Sequence, residues 1–137
     1  MRLLLDTHII VWAASGAGAF EPRVAALLTD TRHELWMSAV SAWELALLAE
    51  RGRLKLRPDP ERWIAAAVAG LGLREAPLTV AIALESCRLS LPTKDPADRF
   101  IAATAAVHEC SLVTADVALR RVSGVRVVFC RPPKRRR

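Results

Sequence analysis

The chain has 137 residues, 53% of them hydrophobic and 25% charged, a length that suits one domain and a composition too apolar for general disorder. Its formal charge is +6; five of the basic residues (Arg131, Lys134, Arg135, Arg136 and Arg137) stand in a short tail at 131–137, so the body at 1–130 is close to neutral and the excess is a property of the tail. No apolar run approaches the roughly 20 residues of a membrane span, the apolar part of MRLLLDTH is too short for a signal sequence, and Cys87, Cys110 and Cys130 form no CxxC pair, which together indicate a cytoplasmic protein with buried free thiols and no structural zinc.

In chain order, residues 2–5 read as a short buried strand and residues 7–14 as a helix carrying Ile9, Ile10 and Ala13. Pro22 suits the first turn of a second helix, with Val24, Leu27 and Leu28 on its apolar side. Residues 34–37 form a second strand. Ser38 or Ser41 can cap the helix that follows, which runs to about residue 50 and stops at Gly52. Asp59 and Pro60 open a helix bearing Trp63, Ile64 and Val68, closed by Gly70 and Gly72. Residues 73–76 read as a third strand and 79–87 as a helix. Asp95 and Pro96, at N-cap and N1, start a helix that continues to about residue 108. Residues 111–114 are a strand, 115–121 a short helix and 125–129 a last strand. The strands are continuous apolar runs separated by helices, as expected of a mostly parallel sheet of four to five strands covered on both faces. The alanine-rich stretches 65–67 and 102–106 suit close helix-to-sheet packing.

Four carboxylates stand at chain breaks within this pattern. Asp6 follows the first strand, Glu44 lies early in the helix after the second, Asp98 is in the first turn of KDPADRFIAATA, and Asp116 follows LVT. Each has a structural role open to it. Asp6 and Asp116 can cap helices, Asp98 can favour the helix dipole, and Ser41 with Glu44 matches a capping box. Two observations favour a site. Val40, Leu47 and Leu48 share the helical face of Glu44, and a charge on an apolar face needs a partner. Ligands of parallel sheets also bind beyond the carboxyl ends of the strands, where these acids would gather. Four clustered carboxylates raise one another's pKa unless a cation neutralises them, and oxygen-only donors favour Mg²⁺ or Mn²⁺. Such a site suits metal-assisted cleavage of a phosphodiester.

The segments LLLDTHIIVW, SAWEL, KDPADRFIAATA and LVTAD, in this order and spacing, resemble PIN-domain proteins, and more narrowly the VapC-type toxin ribonucleases of bacterial toxin–antitoxin modules. The resemblance spans residues 2 to about 129. It implies an α/β/α sandwich, Mg²⁺- or Mn²⁺-dependent cleavage of RNA, a homodimer, inhibition by a cognate antitoxin, and higher assembly with it. Asp6, Glu44, Asp98 and Asp116 fall on the family's acidic quartet: Asp6 and Asp98 as the main metal ligands, Asp116 completing them and Glu44 acting through water. The family pattern selects Asp98 over Asp95, which is left as the helix cap.

Thr7 and Thr114 are close enough in sequence to orient a carboxylate or water. Arg99 has two roles open to it, an RNA phosphate or an ion pair with Asp95. His8 reads as packed or hydrogen-bonded, and Trp12, Trp36, Trp43 and Trp63 as core or dimer contacts. An aspartyl phosphotransferase would carry an acid where His8 stands, and a dinucleotide-binding enzyme would need a glycine-rich turn after the first strand. Two further readings remain: a PIN nuclease of RNA processing outside toxin–antitoxin systems, and an inactive RNA- or protein-binding PIN-like module.

Overall fold

The computed structural model describes residues 1–16 and 20–132. The tail expected at 131–137 therefore falls outside the described residues, apart from Arg131 and Pro132. The elements are β1 (Arg2–Leu5), α1 (Thr7–Ser15), α2 (Pro22–Thr29), β2 (Glu34–Ser38), α3 (Ala39–Glu50), α4 (Pro60–Leu71), β3 (Arg74–Ala76), α5 (Val80–Arg88), α6 (Pro96–Val107), β4 (Ser111–Thr114) and β5 (Val127–Phe129), with a 3₁₀ turn at Val117–Leu119 between the last two strands. The expected helix at 115–121 is reduced to that single turn, and β5 begins two residues later than expected. Gly70 lies inside α4 rather than ending it; Gly72 closes that helix at φ 64°, a conformation that favours glycine.

All five strands are parallel, in the order β3-β2-β1-β4-β5. Leu3, Leu4 and Leu5 of the central strand are all fully buried. Because side chains alternate across a strand, Leu3 and Leu5 enter the core on the α1 to α4 side with Ile9, Val24 and Leu45, while Leu4 enters the core on the α5 and α6 side with Ile82, Ile101 and Leu112. Burial on both faces is why β1 reads as an unbroken apolar run. Fully burying one such leucine is worth roughly 1.5–3 kcal/mol. The result is an α/β/α sandwich.

Small residues bring α6 onto the sheet: Ala102, Ala103 and Ala105 are fully buried. The corresponding expectation for α4 holds only at Ala67, since Ala65 and Ala66 face outward. Cys110 and Cys130 are buried as expected, but Cys87 is exposed because it lies on the outward side of α5.

From β1 the chain moves to β2 and β3 on one side, then returns to place β4 and β5 on the other. The carboxyl ends of β1 and β4 therefore flank the point where the winding reverses, the place at which parallel sheets bind ligands. Asp6 follows β1 directly and Asp116 stands two residues beyond β4.

Candidate active site

Asp6 is held from three directions. Its backbone N–H donates to the Val113 carbonyl (2.9 Å), which ties it to β4. Its Oδ1 accepts from the Thr7 N–H (2.8 Å), which caps α1, and its Oδ2 accepts from the Thr114 hydroxyl (2.6 Å). The capping role and a place in the site thus coexist in one residue. Only 6% of Asp6 is exposed. Burial raises its pKa, and the Thr114 and Thr7 hydrogen bonds oppose that rise.

The Thr114 hydroxyl also accepts from the Asp116 N–H (3.0 Å), so one buried side chain aligns two acids. Asp116 is exposed; its Oδ1 caps the 3₁₀ turn through the Ala118 N–H (2.9 Å). Among the described residues its other oxygen has no protein partner.

Asp98 occupies the first turn of α6, where Asp95 serves as the cap by accepting from the Ala97 N–H (2.9 Å). The Thr93 hydroxyl donates to Asp98 Oδ2 at 3.3 Å. Burial raises the Asp98 carboxyl to about 7, reinforced by the negative charges of Asp116, Asp95, Asp6 and Glu44.

Glu44 projects from α3 and is half-buried. The capping box suggested by Ser41 and Glu44 does not form. Ser38 caps α3 through the Val40 N–H (3.1 Å), and the buried Ser41 instead accepts from the Thr7 hydroxyl (3.0 Å). Glu44 therefore has no capping role. Burial raises its pKa, and the charges of Asp6 and Asp95 add to the rise, while the Thr7 hydroxyl opposes it. Thr7 has one proton to donate. Its resolved hydrogen bond goes to Ser41, so Ser41 and Glu44 compete for that proton.

The four acids thus come from four elements into one electrostatic neighbourhood. Among the described residues, no three Asp, Glu, His or Cys side chains close on a common point as a finished metal site would. Like charges with nothing between them repel, by roughly 4 kcal/mol at about 4 Å and an effective dielectric near 20. The donors are carboxylate and hydroxyl oxygens, without His or Cys, which is the chemistry of a hard divalent cation.

Two positioning residues were not singled out from the sequence. Ser41 was visible only as a possible cap, and Thr93 sits in an irregular loop. The signal for Thr93 is its spacing, two residues before Asp95, whose N–H its hydroxyl accepts (3.1 Å).

Arg99 corrects an expectation. It does not pair with Asp95. Its guanidinium donates to the carbonyls of Ser86 (3.0 Å), Leu89 (2.5 Å) and Thr93 (3.0 Å), binding the end of α5 and the following loop to α6. Its donors are thus committed to backbone rather than aimed at an RNA phosphate. His8 is exposed against Trp12, with ring centroids 6.0 Å apart. Trp36 is buried, Trp12 and Trp63 are partly buried, and Trp43 is 56% exposed.

The sequence matches the family model of the PIN domain over residues 3–125. It is 37% identical, over 125 residues covering 86% of this chain and 89% of the relative, to "Ribonuclease VapC22" of Mycobacterium tuberculosis. Similar folds occur in the crystal structure of VapBC2 from Rickettsia felis bound to a promoter DNA fragment (TM-score 0.68, 17% identity, 95% of this chain and 99% of that one) and of DNA-bound VapBC from Salmonella typhimurium (TM-score 0.67, 18% identity, 94% and 98%). With a matching profile across most of its length and a relative of this similarity, the chain belongs to the PIN domain family.

Proposed function

We propose that this protein is a divalent-metal-dependent endoribonuclease, the toxin of a toxin–antitoxin module, with Asp6, Asp98, Asp116 and Glu44 as its catalytic centre. The observation that carries the reading is the coupling of the four acids at the reversal point of the sheet, with Asp98 raised to about 7. A folded protein keeps such an electrostatic cost where function requires it. The relative named as a ribonuclease supports the reaction class.

Asp6, Asp98 and Asp116 would hold the cation, Mg²⁺ or Mn²⁺. Once bound, it supplies Lewis-acid polarisation of the scissile phosphate. Thr114 fixes Asp6 and Asp116 relative to each other, and Thr93 orients Asp98. Glu44, anchored on a different helix and raised in pKa by burial, is suited to orient the attacking water and take its proton. The supporting role once open to Arg99 at RNA becomes one of holding the Asp98 loop.

The partners follow from chemistry and resemblance. RNA is the substrate, and a cognate antitoxin is the inhibitor. Exposed Trp43 of α3 and Leu78 ahead of α5 line a groove of about 310 Å³ with Val40 and Phe100, and α5 itself exposes Val80 and Leu84. An apolar strip of this kind is expected to be covered. We assign it to a second copy of the chain, because a two-fold contact places like apolar residues opposite one another. None of the described helices is long and apolar enough to cross a membrane.

The deciding experiment is RNA cleavage by purified protein with Mg²⁺ or Mn²⁺, with and without EDTA. Asp6→Asn and Asp98→Asn should each abolish cleavage while leaving the fold intact. Full activity in both variants would remove the proposed centre.

A further inference from the structure

Beyond the carboxylates, the strongest unassigned feature is a groove of about 560 Å³ beside β5. Arg23, Arg120, Arg121 and Arg131 line it, with Glu21 and Phe129. The single acid there is engaged with the protein: Glu21 accepts from the Arg131 N–H (2.9 Å) and approaches the Arg23 guanidinium (4.0 Å). Arg23 also donates to the Phe129 carbonyl (2.8 Å). The Arg120 guanidinium lies 4.9 Å from the Phe129 ring centroid, held by the ring face. Among the described residues, Arg120, Arg121 and Arg131 make no ion pair. Among the described residues, the groove therefore gathers more fixed positive charge than its one acid compensates.

Its placement ties it to the acids. Phe129 is in register with Thr114, and the Cys130 N–H donates to the Thr114 carbonyl (2.9 Å). Thr114 in turn holds Asp6 and Asp116. The groove thus begins one strand away from the proposed centre. Asp116 caps the 3₁₀ turn and Arg120 closes it; four residues at about 2 Å each put their backbones on the order of 8 Å apart. A chain crossing the carboxylates beside β4 next meets these arginines.

We propose that Arg120, Arg121 and Arg131, on a wall fixed by the internally bonded Arg23, form the subsite that grips the phosphodiester backbone of the RNA on one side of the cleaved bond. The inference rests on the ribonuclease reading and adds the direction in which the substrate leaves the centre. Arginine forks match phosphate oxygens in pairs and remain charged at all working pH values. Contacts of this kind give affinity without base selection and a strong dependence on salt.

The test compares the full-length wild type with Arg120→Ala/Arg121→Ala and with Arg120→Glu/Arg121→Glu. Circular dichroism checks the fold, and fluorescence anisotropy reads RNA binding in EDTA across a salt series. On a single-stranded RNA of about twelve nucleotides, longer than many single binding sites, the alanine variant should bind about tenfold more weakly, and the charge-reversed variant more weakly still. Loss of two phosphate contacts should flatten the log–log salt slope by about 1.4. In Mg²⁺, the alanine variant should raise KM far more than it lowers kcat, and that penalty should shrink as the RNA is shortened. An unchanged affinity and salt slope would overturn the groove even if the wild type cleaves RNA. Altered RNA binding with no cleavage by the wild type would support the groove while refuting the nuclease. Loss of binding to a polyglutamate peptide alone, with RNA binding unchanged, would overturn the RNA assignment in favour of an acidic protein partner.

Discussion

Thr114, at the end of β4, donates a 2.6 Å hydrogen bond to Asp6, which stands 108 residues earlier at the end of β1. The same hydroxyl accepts from the Asp116 N–H, so two acids of the proposed centre share one buried support. Thr114→Val preserves shape but leaves Asp6 Oδ2 without its donor. Burial then acts on Asp6 with less opposition, and its carboxyl shifts further upward. We expect metal affinity to fall roughly 10- to 100-fold, the usual cost of losing a support behind a ligand. Thr114→Ser should retain most of it. Mn²⁺ titration by calorimetry checks both; equal affinity in Thr114→Val and wild type would show that the support is dispensable.

The acids should also leave a mark on stability. Asp98 is raised from 3.8 to about 7 in the folded protein. Between those values the native state holds a proton that the unfolded chain has released, so rising pH destabilises the fold. The penalty is absent below about pH 4, grows through the interval, and is complete above about pH 7. In metal-free protein, this group therefore lowers Tm between pH 5 and pH 8. Asp98→Asn should raise the metal-free Tm at pH 8 by on the order of 5 °C, once solvent screening of a half-buried group is allowed for. The variant should gain nothing further from Mg²⁺. Calorimetric scans with EDTA and with Mg²⁺ decide the point; a lower Tm for Asp98→Asn at pH 8 would contradict it.

Most of the sheet was legible because its signals are local. Leu3, Leu4 and Leu5 announce a strand buried on both faces, and Asp95-Pro96 announces a helix start. Asp6, Asp98 and Asp116 were legible for the same reason, each standing beside a strand or helix boundary, whereas Glu44 lies in the middle of α3 and was marked only by the apolar residues at helical spacing around it. What escaped was the support around them. Arg99 reaches carbonyls as far as 13 residues away, and Thr7 reaches Ser41 across 34. No short-range pattern encodes such contacts; they exist only after α5, α6 and the sheet have packed. The 3₁₀ turn was overestimated as a helix because Asp116 is an equally good cap for either. The groove beside β5 was invisible because its arginines come from three separate stretches of the chain.

Arg99 offers a clean separation of structural from substrate roles. Its three hydrogen bonds end on backbone carbonyls that would otherwise lose partners. Arg99→Ala should destabilise the protein by about 2–4 kcal/mol, since charged hydrogen bonds are worth more than neutral ones. Arg99→Lys should rescue little, because an ammonium lacks the planar fork. Urea unfolding measures the loss. The salt slope of RNA binding should stay at the wild-type value, because no phosphate contact has been removed. A flattened slope with unchanged stability would return Arg99 to the RNA.

The apolar strip over α3 and α5 makes the final prediction. Trp43 is 56% exposed, Leu84 52% and Val80 77%, although each is large enough to gain by leaving water. If a second copy covers them, a charge on the strip is desolvated twice in a two-fold dimer, once per protomer. Leu84→Glu should therefore convert the dimer to monomer in light scattering at micromolar concentration, while the monomer keeps its helical spectrum. Trp43→Ala removes contact area without adding charge, so it should weaken association by a smaller factor, on the order of 10- to 100-fold for an interfacial tryptophan. Trp43 neighbours Glu44 on α3, so dimer loss should also reach the centre through the helix that positions Glu44. Specific cleavage activity should then be lower in Leu84→Glu than in the wild type. A wild type that scatters as a monomer at every concentration, with the strip still exposed to an apolar dye, would exclude the second copy as its cover.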